Sequence, residues 1–120
     1  MSVTWIPLTT IEELTSLKEK SKIAPQLIFK HSTRCNISSI AKYRLESDWI
    51  FGTHETETYF LDVLKCRATS GFIADTFGVY HESPQLLLII NGECVYDASH
   101  LDITVEELKD ALDNVRQHIT

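Results

Sequence analysis

The dipeptide Asn91-Gly92 stands between an apolar run, Gln85 to Ile90, and a second extended segment, Glu93 to Tyr96. Asn-Gly is the favoured pair for a two-residue turn between antiparallel strands, so these segments are expected to form a β-hairpin. Upstream, the chain imposes the opposite constraint. Gln26-Leu27-Ile28-Phe29-Lys30 follows Pro25, is too short for a helix, and reads as a buried strand. From Cys35 the spacing becomes helical, with Ile37, Ile40, Ala41, Leu45 and Trp49 on one stripe, and Thr58 to Leu64 reads as the next strand. A strand–helix–strand unit crosses over and runs parallel. A sheet that contains both this unit and the hairpin must be mixed.

The remaining elements fit around that sheet. Thr10-Ile11-Glu12-Glu13 has the form of a capping box and opens a helix with Ile11, Leu14 and Leu17 on one face. A shorter helix over Ala68 to Phe77 stops at Gly78, where glycine readily takes the left-handed end conformation. Thr104 to Glu107 is a second capping box, and the last helix carries Val105, Leu108, Leu112 and Val115 on one face. A short first strand is expected near Trp5. The expected fold class is α/β, a mixed central β-sheet flanked by helices on both faces, with residues 1–120 as a single domain.

Lys and Arg total 11 against 17 Asp and Glu, a net charge of -6, and no basic stripe offers a footprint for a phosphate backbone. No nucleic-acid partner is expected. The N-terminus lacks the pattern of a signal peptide, and the longest apolar run, Leu86 to Ile90, is far shorter than the roughly 20 residues of a membrane span. A soluble, cytoplasmic protein without a membrane partner is the expectation. The three cysteines, Cys35, Cys66 and Cys94, are odd in number and widely spaced, unlike a secreted disulfide framework.

Cys35 follows the polar turn His31-Ser32-Thr33-Arg34 and falls in the first turn of the next helix. Unpaired N–H groups and the positive end of the helix dipole favour an anion there. Arg34 is the adjacent cation, and His31 would add to it when protonated. These influences favour the thiolate, the reactive form of cysteine. Ser38 completes a C-x-x-S pattern, Cys35-Asn36-Ile37-Ser38; its hydroxyl can donate to the Cys35 thiolate but cannot close a disulfide. The chemistry is therefore expected to be one-thiol exchange.

The segment Phe29 to Ser38 resembles the YtxJ family, the monothiol bacilliredoxins, and His81-Glu82-Ser83-Pro84-Gln85 is similar to that family's loop before a buried strand. The family usually has proline directly after the cysteine, where this chain has Asn36, which leaves an additional donor near the sulfur. The resemblance implies a thioredoxin-like fold and a redox-active oxidoreductase, associated with stress response, that removes bacillithiol from protein mixed disulfides. The implied partners are S-thiolated proteins, bacillithiol as co-substrate rather than bound cofactor, and a recycling reductase. It also implies a cis-proline at Pro84 beside the nucleophile, which would leave the backbone of Ser83 free to pair with substrate. From its charge and position alone, Arg34 is expected to bind a carboxylate of the small thiol; Thr33 and His81 complete the candidate site.

Cys66 and Cys94 read as packed small residues, and no closely spaced ligand set offers a metal site. His54, His100 and His118 are assigned to solvent or capping. Two alternatives to the enzyme remain open: a non-enzymatic thioredoxin-like binding or redox-sensing module, and the same exchange chemistry with another low-molecular-weight thiol.

Overall fold

The computed structural model describes residues 2–52 and 55–119, with the side chains of residues 116–119 excepted. The chain runs β1 (Trp5–Pro7), α1 (Ile11–Lys20), β2 (Gln26–His31), α2 (Asn36–Asp48), β3 (Glu57–Asp62), α3 (Arg67–Phe77), β4 (Gln85–Ile90), β5 (Glu93–Ser99), a 3-10 turn (His100–Asp102) and α4 (Val105–Ile119). The five strands lie in the order β1-β3-β2-β4-β5. β1 and β2 pair parallel with β3, while β4 pairs antiparallel with β2 and β5, which is the mixed sheet expected. The turn between β4 and β5 has positive φ at both Asn91 (54°) and Gly92 (80°), as a tight hairpin turn of this hand requires.

Alternation along the buried strands sends side chains to two cores. Leu27, Phe29, Leu86 and Leu88 pack with Ala41 and Leu45 of α2 and with Leu108 and Leu112 of α4. Ile28, Tyr59, Leu61 and Leu87 pack with Leu14 and Leu17 of α1 and Ile73 of α3. A register shift opposite Leu88/Ile89 places Cys94 against the second core and Tyr96, two residues on, against the first. Without a bulge, residues two apart on a strand share a face.

Several expectations need correction. The core face of α2 is Ser38, Ala41 and Leu45, whereas Ile37 and Ile40 are exposed. Ser38 turns inward to meet buried polar groups, and that rotation carries the two isoleucines out to the surface. Ile11 is likewise exposed on α1, although the Thr10–Glu13 capping box forms as read. β3 ends at Asp62 instead of Leu64 because the Asp62 carboxylate accepts the N–H groups of Leu64 (3.0 Å) and Lys65 (3.2 Å) and turns the chain. His31 is the last residue of β2, paired across from Asp62, and not part of the polar turn.

Candidate functional site

The parallel strands β2 and β3 end side by side. Beyond that edge lie the turn that carries Cys35, the β3–α3 connection and the loop that enters β4. The Val63 N–H donates to the His31 carbonyl (3.0 Å), which ties the second of these to the first. Ser32 shapes the turn: its carbonyl accepts the Cys35 N–H (3.2 Å) and its hydroxyl accepts the Arg34 N–H (3.4 Å).

Cys35 is the N-cap of α2, one residue before the helix, not within its first turn. Its sulfur makes no capping hydrogen bond, no acidic residue occupies the first turn, and the residue is partly exposed. The helix thus presents unpaired N–H groups beside a reachable sulfur. Thr33, Arg34 and Asn36 are exposed around it, and no ion pair found among the described residues involves Arg34. The Ser83–Pro84 peptide bond is cis, with Pro84 buried at the entry to β4. The Ser83 hydroxyl is buried without a hydrogen-bond partner among the described residues.

Two of the expected contributions to the thiolate take another form. Ser38 is fully buried, its hydroxyl 2.6 Å from His31 Nδ1 and accepting the Ser32 N–H at 3.1 Å. It holds the turn from beneath and forms no hydrogen bond with Cys35. His31 lies against the rings of Phe29 and Phe60. Burial, assisted by the positive charge of Lys42 and opposed by Asp62, pushes its pKa down, which weakens the contribution expected from it as a cation beside Cys35. Beside it, Glu46 accepts from Lys42 (2.9 Å) and from the Trp5 indole (2.8 Å).

The opposite face of β2 holds a group that was not singled out from the sequence. Lys30 is fully buried, and its ammonium reaches the Ser70 carbonyl at 3.2 Å and His81 Nδ1 at 3.3 Å. Burial lowers its pKa to about 8. His81 Nδ1 also contacts the Ser70 hydroxyl (3.2 Å), and burial and the Lys30 charge lower its pKa. A lysine closing the apolar run Leu27-Ile28-Phe29, on a strand read as buried, was the available signal. Of the other cysteines, Cys66 caps α3 and packs on the second core. Burial pushes the Cys94 thiol up to about 11, and its S–H donates to the Tyr96 carbonyl (3.4 Å). His100 is exposed and faces Glu82 at 3.5 Å, whereas His54 and the His118 side chain lie outside the described residues.

A partly exposed cysteine capping a helix at the end of a mixed sheet, with a cis-proline at the entry to the adjoining strand, defines a thioredoxin-fold thiol oxidoreductase. The chain belongs to the monothiol bacilliredoxin family: the family model for the monothiol bacilliredoxin BrxC matches residues 6–108. A solved structure assigned as an oxidoreductase with a thioredoxin fold is 33% identical, covering 88% of this chain and 91% of that one, with a TM-score of 0.75. Thioredoxin from Trypanosoma brucei brucei is 8% identical, covering 98% and 95%, with a TM-score of 0.74. Thioredoxin from Fasciola hepatica is 15% identical, covering 90% and 96%, with a TM-score of 0.70. The last two show the fold alone. No helix among the described residues is long and apolar enough to cross a membrane.

Proposed function

We propose that this thiol oxidoreductase uses Cys35 as its single nucleophile to remove bacillithiol from protein mixed disulfides. The observation that carries the reading is the position of Cys35, a partly exposed N-cap with no cysteine at the C-x-x-S serine to compete for the adduct. The Cys35 thiolate attacks the bacillithiol sulfur of the modified protein. The old S–S bond breaks, the protein sulfur leaves as a thiolate that takes a proton from water, and bacillithiol remains disulfide-bonded to Cys35. The thiolate of a second small thiol then attacks that adduct, forming the small-molecule disulfide and freeing Cys35. A recycling reductase would supply the two electrons that return this disulfide to thiol. Each step depends on thiolate fraction, the leaving group and access.

The test is to incubate the reduced protein with a bacillithiol-modified target and map the adduct by mass spectrometry. The expected mass is bacillithiol on Cys35, with release of target thiol. An unmodified Cys35, with the target still carrying its adduct, would leave the non-enzymatic module as the better description. Protein recovered from oxidant-stressed cells gives the second arm, because the adduct mass on Cys35 names the thiol that the host uses.

A further inference from the structure

Between α3 and the loop that precedes Ser83, a cavity of about 360 Å³ is lined by Val63, Leu64, Arg67, Ser70, Gly71 and His81. Arg67, the first residue of α3, is exposed and takes part in none of the ion pairs found among the described residues. Behind the opposite wall lies the Lys30 ammonium, bonded to two wall residues, Ser70 and His81. Among the described residues no carboxylate contacts that ammonium, although a buried charge without a counter-ion is costly. The nearest carboxylates lie outside the pocket lining: Asp62 accepts two backbone N–H groups of the β3–α3 connection, and Glu82, next to His81, faces His100 at 3.5 Å. The lining itself thus carries one cation, Arg67, with the Lys30 ammonium behind it, and no carboxylate, in a chain of net charge -6.

We infer that this pocket is a carboxylate subsite for the small thiol exchanged at Cys35, an inference that rests on the function proposed above. Arg67 is the recognising cation, able to hold a carboxylate with paired N–H bonds. Lys30 is a positioning residue that adds its charge from beneath and fixes the His81–Ser70 wall. Two backbone connections link the pocket to the Cys35 turn and the Pro84 loop. Its lining residue Val63 bonds the His31 carbonyl, from which the Cys35 turn departs, and His81 lies in the loop that leads to Pro84. The larger groove between β5 and α4, about 530 Å³, is lined by Glu93, Glu107 and Asp110 and would repel the same ligand.

The test compares exchange at Cys35 with two small disulfides, 3,3′-dithiodipropionate, which carries two carboxylates, and neutral 2-hydroxyethyl disulfide. Intrinsic Cys35 reactivity enters both rates, so the ratio isolates charge recognition. Arg67→Ala should lower the anionic-to-neutral ratio about fivefold, Arg67→Lys should recover part of it, and the effect should shrink with salt. Gly71→Glu adds a carboxylate to the wall at a position where an added Cβ meets nothing within 4 Å, and should lower the ratio as well. Succinate titrated into the Cys35→Ser protein, followed by amide NMR, should shift residues 67, 70, 71 and 81. Shifts confined to the region of Arg34, or a ratio indifferent to Arg67 and Gly71 variants, would overturn the subsite. Succinate binding in this pocket without bacillithiol transfer would refute the proposed function and leave the subsite standing.

Discussion

Ser38 Oγ and His31 Nδ1 lie 2.6 Å apart, both buried beneath the turn that presents Cys35. The same oxygen accepts the Ser32 N–H, so one hydroxyl links the end of β2, the turn and the first turn of α2. In a monothiol site the serine three residues after the cysteine therefore serves as a brace. It fixes the backbone from which the sulfur projects.

Ser38→Ala should accordingly behave as a structural lesion. It leaves a buried Ser32 N–H and a buried His31 nitrogen without their partner, which costs about 1–3 kcal/mol. Urea unfolding should show the loss, and exchange at Cys35 should slow as the turn loosens. A variant as stable as the parent would show that water or another group replaces the hydroxyl. Ser38→Cys should lose the same bonds and, on oxidation, close a bridge to Cys35; a variant that carries only a small-thiol adduct would refute that pairing.

The three thiols should separate cleanly in timed alkylation. Cys35 is partly exposed at a helix start, Cys66 is also partly exposed but packs against the second core, and Cys94 is held protonated by burial, with a pKa of about 11. At pH 8 the thiolate fraction of Cys94 is then about one in a thousand. Peptide mapping should give the order Cys35, Cys66, Cys94. Faster labelling of either other cysteine in the native protein would move the nucleophile elsewhere.

Arg34→Ala should slow exchange at Cys35 by about two- to threefold at low salt, with the gap closing as salt rises. Arg34 is exposed, adjacent in sequence to the sulfur, and in no ion pair found among the described residues, so the melting temperature should not move. Rate–pH curves at two salt concentrations are the measurement. Curves that overlay the parent's would remove Arg34 from the thiolate's surroundings.

Much of this site was legible because backbone signals carry it. Asn91-Gly92 needs positive φ, the apolar runs are short enough to be strands, and the change of period at Cys35 marks a strand-to-helix turn. What was hidden is the direction in which polar side chains point. Ser38 and His31 are polar residues at positions that look exposed, yet they face inward because each satisfies the other. The stripe of Ile37 and Ile40 was misleading for the same reason. Periodicity counts apolar residues and is blind to a buried hydrogen bond. Lys30 escaped notice as the last residue of an apolar run, where a long side chain would be expected to reach water; here it ends under His81 and Ser70.

That burial makes Lys30 costly at neutral pH. Its pKa falls from 10.5 to about 8 in the folded protein, with burial as the cause. Below about pH 8 both folded and unfolded chains carry the proton, and the penalty, on the order of 3 kcal/mol, is present in full. Between about 8 and 10.5 the unfolded chain binds more protons than the folded one, so stability from this group rises with pH. Lys30→Met, of similar length and without charge, should therefore stabilise the protein at pH 7. The gain should be about 1–2 kcal/mol once the lost bonds to Ser70 and His81 are deducted at about 1 kcal/mol each. The advantage should shrink as the pH approaches 10. Urea unfolding of both proteins at pH 7 and pH 9.5 measures it, and a variant less stable than the parent at both pH values would show that the bonds of Lys30 outweigh its desolvation. Were Lys30→Met more stable but poorer at distinguishing the anionic from the neutral disulfide, the stability forgone by the parent would be accounted for by ligand recognition.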